Sequence, residues 1–326
     1  MTPPHLPATR RAVTFGEFGG PDVLRCVDLP MPLPQADEVL VRVEAATINP
    51  TDLMMLTGAQ AAMMKDLSPP YIAGMEFAGR VAAVGANAAG WQVGQAVMGI
   101  VNPRRPQGGA HATHVCVPAA SLAALDSGTD PARAATLPMN GLTARMCLES
   151  LSLPAGATLL VTGAAGAVGG FVIPLARRAG LHVVADAKDT DAALVRELGA
   201  HVVVPRGEAF APAVRSLFPQ GVDGLVDAAL LGDVAAGLLR DGGSMVSLRS
   251  SQKITDTRIR QAYVSVIQQM THTEALRWLV DRMRDGTLSA RVAQRIPMPQ
   301  AARGYELLRQ GGMRGRLVLE MGDAPR

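Results

Sequence analysis

The stretch Leu159-Leu-Val-Thr-Gly-Ala-Ala-Gly-Ala-Val-Gly169 joins two patterns that decide the fold. A continuous run of β-type residues, Thr158–Thr162, leads into it, and a helical pattern, Val168–Arg178, leads out of it. Gly163 permits a sharp turn after the strand, and Gly166 keeps a Cβ atom away from anything that approaches the backbone. The last glycine lets the helix pack closely on the sheet. The stretch therefore predicts a strand, a tight turn and a helix in direct succession.

The same alternation continues along the chain after this turn. A strand is predicted at His182–Ala185, a helix at Asp191–Leu198 and a strand at His201–Val204, and later strands at Gly224–Asp227 and Ser244–Leu248. Strands that alternate with helices at this spacing indicate a parallel sheet with helices on both faces. We predict an α/β fold with a Rossmann doubly wound parallel sheet.

The two ends of the chain have a different texture. Glu38–Val43 and Ala112–Val117 alternate as half-buried strands do, and frequent glycines indicate a β-rich domain. Ala132–Ser150 has helical spacing with Leu-Pro at its centre, which indicates two helical pieces. The last part is expected to rejoin the N-terminal domain, and its predicted elements are the helix Glu274–Asp285, the strand Arg291–Ile296, the helix Pro299–Gln310 and the strand Arg316–Leu319.

Composition excludes several classes of protein. The 326 residues suffice for two domains, and 48% hydrophobic with 18% charged residues argues against wholesale disorder. Aromatic residues are only 3% and the basic residues behind the net charge of +3 are scattered, so no nucleic-acid partner is predicted. The first eleven residues lack the apolar core of a signal peptide, no run reaches the roughly 18 apolar residues of a membrane span, and three distant cysteines make no disulfide framework. We predict a cytoplasmic protein without a membrane partner.

The glycine turn predicts a dinucleotide site. The start of the following helix presents backbone N–H groups and a positive dipole end, which favour a pyrophosphate. A small-residue turn alone is weak evidence, but here it lies between a strand and a helix and is followed by a second strand. The predicted cofactor-binding residues of the turn are Gly163, Ala164, Ala165, Gly166, Ala167 and Val168.

The choice of dinucleotide depends on charges near the second strand. Asp186 would favour the ribose diol of NADH, whereas Lys188 would favour the 2′-phosphate of NADPH. Arg206, just beyond the third strand, could reach the same pocket. We predict NADPH, and NADH stays open.

Five motifs in order resemble the medium-chain dehydrogenase/reductase superfamily and, within it, the zinc-independent quinone oxidoreductases. The resemblance covers nearly the whole chain. Its motifs are Phe18-Gly-Gly-Pro-Asp-Val-Leu24, Ile48-Asn-Pro-Thr-Asp52, Ile72-Ala-Gly-Met-Glu-Phe-Ala-Gly-Arg-Val81, Leu137-Pro-Met-Asn-Gly-Leu-Thr-Ala144 and the turn Gly163–Gly169.

The resemblance implies a homodimer whose subunit has a GroES-like catalytic domain, residues 1–128 and 272–326, around a Rossmann domain, residues 129–271. It places Asn49 beside the nicotinamide and Thr143 near the nicotinamide and phosphates. A tyrosine that often binds the 2′-phosphate matches Arg206, and a common lysine matches Asp191, which is a departure from the family pattern. The nicotinamide end is assigned to Ser247, Leu248 and Arg249.

The comparison with zinc-dependent relatives predicts no metal. Their Cys, His and Cys ligands match Asn49, Met75 and Met139, and zinc prefers thiolate, imidazole or carboxylate. The loop that holds a structural zinc in such relatives matches Val101–Gly109, which has no cysteine. The pair His111 and His114 is interpreted as surface or hydrogen-bonded.

Without a Lewis acid, the chain needs a small-molecule acceptor that takes hydride easily. We predict a zinc-independent, NADPH-dependent reductase of a quinone or another activated carbonyl, with Asn49 and Thr51 as catalytic polar contacts. Asp52 is interpreted as a helix cap or buried structural acid, and nearby methionines as core or an adaptable acceptor pocket. An enoyl or alkenal double-bond reductase stays open, as does a cofactor-binding redox sensor with little catalysis.

Overall fold

The structure, a computed structural model, describes residues 6–322, which form two compact units. The first unit contains the chain up to Met139, Ile267–Asp281 and the residues from Ala290 onward. The second unit contains Asn140–Val266 and Arg282–Ser289. The first boundary between these units lies within a helix, Pro138–Leu151. The domain bounds expected from the family resemblance, 1–128 with 272–326 and 129–271, stay a prediction.

The strands and helices that the sequence patterns predict occur in the predicted order, and residues 6–322 contain further elements among them. The strands are β1 Thr9–Thr14, β2 Arg25–Pro30, β3 Glu38–Ile48, β4 Glu76–Val84, β5 Ala96–Ile100, β6 His114–Pro118, β7 Leu122–Ala124, β8 Thr158–Thr162, β9 His182–Ala187, β10 Val202–Pro205, β11 Val222–Asp227, β12 Leu239–Ser247, β13 Arg260–Tyr263, β14 Val292–Pro297 and β15 Arg316–Glu320. The helices are α1 Pro50–Leu56, α2 Pro131–Ala134, α3 Pro138–Leu151, α4 Gly169–Arg178, α5 Ala192–Glu197, α6 Phe210–Leu217, α7 Asp233–Ala236, α8 Thr273–Arg284 and α9 Ala301–Gln310.

The second unit contains a six-stranded sheet in the order β10-β9-β8-β11-β12-β13, and every neighbouring pair is parallel. Counted within this unit, the order is third, second, first, fourth, fifth and sixth, which is the Rossmann order. The predicted doubly wound fold class is confirmed. The sequence analysis missed β13, because this short strand is largely exposed and lacks the apolar run that marks the other strands.

Apolar side chains hold this sheet and its helices together. Leu160, Val184 and Leu225 come from three neighbouring strands, and Phe210 and Val214 add the apolar face of α6. All five are almost completely buried, and burying each side chain of this size contributes about 1.5–3 kcal/mol. The carboxyl ends of the strands therefore lie along a fixed edge.

The first unit contains a seven-stranded sheet, in which strands follow the order β14-β15-β3-β4-β5-β7 and β6 also pairs with β3. β15 pairs antiparallel with β3, so the last part of the chain returns to the sheet formed by the first third. The predicted GroES-like β-rich domain is confirmed. Its core contains the completely buried side chains of Phe77, Leu122 and Tyr305.

Two local predictions can be compared with the structure. The region around Leu137 does form two helical pieces, α2 and α3, because Pro138 cannot continue a helix from α2. The strand predicted at Ala112–Val117 begins only at His114, because Ala112 pairs with Ala12 in an isolated bridge and Thr113 hydrogen bonds to Arg11. Between residues 6 and 322, each helix is too short or too polar to span a bilayer.

A buried histidine in the first unit gives a prediction about pH. Burial, helped by the cations Arg42 and Arg10, lowers the pKa of His114 from 6.5 to about 4. The folded chain therefore keeps His114 neutral where the unfolded chain already binds a proton. We expect the free energy of unfolding to fall as the pH is lowered from 6.5 towards about 4, by at most about 1.4 kcal/mol per pH unit for this one proton.

Urea unfolding measured across this pH range checks the expectation. His114→Gln should flatten the dependence, because the replacement takes up no proton. His272→Gln is the matched control, since His272 is exposed on the surface of the same unit. Equal slopes for the wild type and His114→Gln would contradict the prediction.

Candidate functional site

The predicted cofactor turn lies between β8 and α4 at the carboxyl edge of the parallel sheet. Gly163 has a φ of +65°, a conformation that side chains with a Cβ rarely adopt. A Cβ on Gly169 would lie 2.5 Å from the carbonyl oxygen of Gly163, so the start of α4 packs directly on the turn. Gly166 is exposed at the middle of the turn, where a Cβ would lie 2.9 Å from that same oxygen. The turn thus exposes backbone that carries no side chain.

The other predicted residues of the turn divide into buried and accessible ones. Ala164 and Ala165 are buried, whereas Ala167 and Val168 are half-buried. The two alanines therefore anchor the turn in the unit, and the residues after them lead into the helix. A pyrophosphate group fits this arrangement, because an exposed glycine backbone at the start of a helix leaves room for the phosphate oxygens.

Two of the charged residues predicted for cofactor binding are in contact. Asp186 lies at the carboxyl end of β9 with only 2% of its side chain exposed. Its carboxylate accepts a hydrogen bond from the backbone of Ala164 at 3.0 Å and lies 3.0 Å from Nε of Arg206. Burial raises the pKa of Asp186, and these two contacts oppose the shift. Asp186 therefore connects the glycine turn with the residue that follows β10.

Arg206 and Lys188 remain accessible beside this carboxylate. The side chain of Arg206 is 40% exposed, and Lys188 is exposed just after β9. A guanidinium group has five N–H donors, so the single contact with Asp186 leaves Arg206 able to bind an anion. These two side chains place positive charge beside the turn, where a phosphate group could bind.

Sequence analysis missed Asp227, the last residue of β11. Its side chain is completely buried and accepts four hydrogen bonds. The donors are the hydroxyl of Thr162 at 2.6 Å, the backbone N–H groups of Leu231 at 3.0 Å and Gly232 at 2.9 Å, and the side-chain amide of Gln252 at 2.9 Å. The sequence did contain a signal for Asp227, namely a carboxylate at the end of a predicted strand, at the sheet edge where the turn lies.

The segment predicted for the nicotinamide end follows β12. Ser247 is buried, and its hydroxyl hydrogen bonds to the side chain of Gln252 and to the backbone of Arg249. Leu248 is half-buried and Arg249 is exposed. Gln252 thus joins this segment to Asp227. Thr143 is half-buried on α3.

Asn49, one of the two predicted catalytic residues, lies in the first unit in a buried polar network. It precedes α1 and is 1% exposed. Its amide nitrogen donates to the hydroxyl of Thr47 at 3.1 Å and to the carboxylate of Glu76 at 3.3 Å, and its oxygen accepts from Arg316 at 2.5 Å. Both amide hydrogens therefore have partners within the unit.

An ion pair of Arg316 and Glu76 forms the centre of this network. The guanidinium of Arg316 lies 2.8 Å from Glu76 and 3.0 Å from the hydroxyl of Thr47, and the three residues are almost completely buried. The second carboxylate oxygen of Glu76 accepts a hydrogen bond from the backbone of Met139 at 2.7 Å, in the first turn of α3. The sequence analysis assigned no role to either residue, because Glu76 was only part of the motif Ile72–Val81 and Arg316 was the first residue of a predicted strand.

Thr51 and Asp52 occupy the first turn of α1. The hydroxyl of Thr51 is half-buried and lies 3.4 Å from the sulfur of Met75, a weak acceptor. The carboxylate of Asp52 accepts hydrogen bonds from the backbone of Asn49 at 2.7 Å and of Gly74 at 3.0 Å, and burial raises its pKa. The interpretation of Asp52 as a cap and buried structural acid is confirmed.

The methionines near α1 have mixed surroundings. Met55 and Met64 belong to the core of the first unit, whereas Met63 is 67% exposed. Met54 is half-buried on α1. The core interpretation therefore holds for two of them.

The donors at the predicted metal positions do not fit zinc. Asn49, Met75 and Met139 offer a carboxamide and two thioethers, and Glu76, whose carboxylate contacts Asn49 and Met139, already pairs with Arg316. Residues 6–322 contain no group of three or more His, Cys, Asp or Glu side chains arranged to hold a metal ion.

His111 hydrogen bonds to the backbone oxygen of Thr47 and to the hydroxyl of Tyr305, both at 2.9 Å.

Two protein families and several known proteins are similar to this chain. Residues 35–127 match the family described as "Alcohol dehydrogenase GroES-like domain", and residues 198–319 match "Zinc-binding dehydrogenase". A mitochondrial enoyl-[acyl-carrier-protein] reductase of Arabidopsis thaliana is 30% identical, with 88% of this chain and 80% of the relative covered. The chloroplast envelope quinone oxidoreductase homolog of the same plant is 25% identical, with 95% and 98% covered.

A solved structure agrees with these matches. The quinone oxidoreductase from Coxiella burnetii has a TM-score of 0.86 and 27% identity, with 96% of this chain and 100% of that chain covered. The match extends over both units. The chain therefore belongs to the medium-chain dehydrogenase/reductase superfamily, among its quinone-oxidoreductase-like reductases.

Proposed function

We propose that the chain reduces a quinone or another activated carbonyl compound with NADPH and without zinc. The observation that carries this proposal is the donor set Asn49, Met75 and Met139, which offers no thiolate, imidazole or carboxylate to a metal. Without a Lewis acid, an unactivated ketone or alcohol would react slowly. The acceptor must then be a compound that takes hydride readily.

The glycine turn and its neighbours would hold the cofactor. The exposed backbone at Gly166 accommodates the pyrophosphate, and the half-exposed guanidinium of Arg206 binds the 2′-phosphate. Because Asp186 is buried and already accepts two contacts, it is less available to a ribose diol than an exposed acid would be. These features favour NADPH over NADH. Bound NADPH would supply a hydride from its nicotinamide ring.

Asn49 and Thr51 are the proposed polar contacts for the acceptor or the nicotinamide. The Asn49 side chain is held in one orientation by Arg316, and its amide would reach a ligand by exchanging its hydrogen bond with Thr47 or Glu76. The Thr51 hydroxyl donates only to a thioether sulfur, and it can turn to an oxygen acceptor at little cost. Thr143 and Ser247–Arg249 complete the proposed set of cofactor contacts.

The enoyl reductase among the relatives supports a second candidate, reduction of a double bond conjugated to a carbonyl. Such an acceptor also takes hydride without a metal. A cofactor-binding redox sensor with little catalysis is the third candidate. The acceptor assay described below separates the three.

We also propose a homodimer in the cytoplasm. β13 ends the parallel sheet, so one edge of its backbone has no neighbouring strand among the described residues, and Tyr263 on it is 46% exposed. A second copy could pair with this edge. The three cysteines are free thiols, which is compatible with a reducing compartment.

Arg206→Ala tests the cofactor. We expect the dissociation constant of NADPH to rise roughly tenfold, because one charge-assisted contact to the 2′-phosphate is lost. Binding of NADH should change little. Titration by nicotinamide fluorescence measures both, and Arg196→Ala, an exposed arginine on α5, is the matched control. Tighter binding of NADH than NADPH by the wild type would contradict the cofactor choice.

A panel of acceptors tests the reaction. NADPH oxidation is followed at steady state with quinones, with α,β-unsaturated carbonyl compounds and with simple ketones, before and after dialysis against a zinc chelator. We expect turnover with quinones, little with simple ketones, and no loss after dialysis. Turnover confined to the unsaturated carbonyls would establish the second candidate, and tight binding of NADPH without any turnover would establish the third.

Arg316→Met tests whether the guanidinium of Arg316 stabilises the buried carboxylate of Glu76. The change leaves the buried carboxylate of Glu76 without its counter-ion, so we expect a loss of about 3–5 kcal/mol in the free energy of unfolding. The double variant Glu76→Gln/Arg316→Met should recover part of this loss, because no buried charge remains. Arg309→Met is the control: Arg309 pairs with Glu306 on the surface, where such pairs contribute at most about 1 kcal/mol.

Urea unfolding of the four proteins measures these differences. If Arg316→Met costs no more than the surface control, the guanidinium does not neutralise Glu76 in the way that the geometry indicates.

A further inference from the structure

Asp227 occupies the place in the sheet where the direction of the chain reverses. From β8 the chain winds outward to β9 and β10, and it then crosses to the other side of β8 to form β11. β8 and β11 are therefore the neighbouring strands at the switch point, beside which open α/β sheets bind ligands. The hydrogen bond from Thr162 to Asp227 joins the last residues of these two strands.

The loop after β11 depends on the same carboxylate. Asp227 accepts the backbone N–H groups of Leu231 and Gly232, so it holds the loop back over the end of the strand. Leu230 in this loop has a φ of +60°, a strained conformation for a residue with a branched side chain. Strained backbone of this kind persists only where surrounding contacts fix it. Here Asp227 provides two of those contacts.

A third connection leads to the segment after β12. Gln252 donates its side-chain amide to Asp227, and its oxygen hydrogen bonds to the hydroxyl of Ser247. Ser247 in turn bonds to the backbone of Arg249. One buried carboxylate thus fixes both loops that follow β11 and β12.

The position of these loops relative to Arg206 decides which half of a dinucleotide they meet. Asp186 belongs to β9 and Arg206 follows β10, on one side of the turn, whereas β11 and β12 lie on the other side. A dinucleotide with its 2′-phosphate at Arg206 and its pyrophosphate at the turn must extend its nicotinamide half towards β11 and β12. Asp227 itself has no exposed surface and already accepts four hydrogen bonds, so it acts through the loops.

We infer that Asp227 is a positioning residue for the nicotinamide half of the cofactor, and that Asp186 anchors the other half. This inference rests on the proposed function. The two carboxylates have separate tasks: Asp186 holds the glycine turn through Ala164, and Asp227 holds the loops after β11 and β12. Removing the charge of Asp227 therefore loosens one half of the site and leaves the other in place.

The same strand supplies a matched control. Asp223 lies near the amino end of β11, where it accepts a hydrogen bond from the backbone of Thr158 at 2.8 Å and pairs with Arg240. Like Asp227, it ties β11 to the neighbouring strand β8, and its second partner, Arg240, lies in β12. It lies near the opposite end of the strand, away from the turn and the two loops. Asp223→Asn thus removes a hydrogen-bonded carboxylate charge from the same strand without touching the proposed site.

Calorimetric titration with two ligands makes the test. NADPH has both halves, whereas adenosine 2′,5′-bisphosphate has only the half that Arg206 and the turn would bind. For Asp227→Asn we expect the dissociation constant of NADPH to rise about tenfold and that of the bisphosphate to stay within twofold of the wild type. Asp223→Asn should leave both unchanged, and Arg206→Ala should weaken both.

Several results would overturn the inference. A parallel loss of both ligands in Asp227→Asn would show that the carboxylate supports the whole edge, and an unchanged affinity for NADPH would show that it supports neither half. If Asp227→Asn does not fold, Gln252→Ala decides. That change removes the bridge from Asp227 to Ser247 and leaves the hydrogen bonds of Asp227 with Thr162, Leu231 and Gly232 in place. It should weaken NADPH about threefold with no effect on the bisphosphate; wild-type affinity for NADPH would refute the positioning role.

The wild-type titration separates this inference from the function on which it rests. A wild type that binds neither ligand refutes the proposed function, and the inference with it. A wild type that binds NADH in place of NADPH shows that the cofactor choice is wrong, and the same comparison made with NADH and ADP then tests Asp227. A wild type that binds NADPH leaves the proposed function standing, whatever the variants show.

Discussion

The second unit depends on a close contact between two backbone segments, the start of α4 and the turn that precedes it. A Cβ at Gly169 would lie 2.5 Å from the oxygen of Gly163 and 2.7 Å from the Cα of Ala164. No side chain fits in this space, and Gly163 adopts a positive φ besides. The reversal from β8 into α4 is therefore possible only with glycine at these positions. The accessible backbone at Gly166 is a consequence of the same compact turn.

Buried charged side chains fix the loops around this turn, and others fix the surroundings of Asn49 in the first unit. Asp186 and Asp227 both have little or no exposed surface, and each is held by backbone N–H groups together with side chains from distant parts of the chain. In the first unit, Glu76 and Arg316 pair with each other and orient Asn49. A buried charge is stable only when it is paired or fully hydrogen-bonded. Each of these groups consequently fixes the loops and side chains that satisfy it.

The absence of zinc donors has a structural counterpart in the first unit. Glu76 is the carboxylate that contacts both Asn49 and the backbone of Met139, and its charge is balanced by the guanidinium of Arg316. Arg316 thus supplies the positive charge that pairs with this buried carboxylate. The guanidinium cannot act as a Lewis acid, which is why the proposed acceptors are compounds that already accept hydride readily.

Local patterns were sufficient to predict the strand–turn–helix unit, the two helices α2 and α3 and most strands of both sheets. These elements depend on apolar periodicity and on the positions of glycine and proline, which are properties of neighbouring residues. Local patterns were insufficient for β13, whose four residues are mostly exposed. The sequence analysis also gave Asp186 and Arg206 separate roles in the choice of cofactor, although their side chains form an ion pair.

By itself, the sequence determined the fold class, the family and the place of the cofactor turn. Only the tertiary structure decided the partners of the buried charges: Thr162 meets Asp227 across 65 positions of the chain, and Arg316 meets Glu76 across 240. Hydrogen bonds and ion pairs need atoms within about 3 Å of each other, and folding brings such distant residues together through sheet order and register. No pattern of neighbouring residues records that order, so the residues that position the site became visible only when the strands lay side by side.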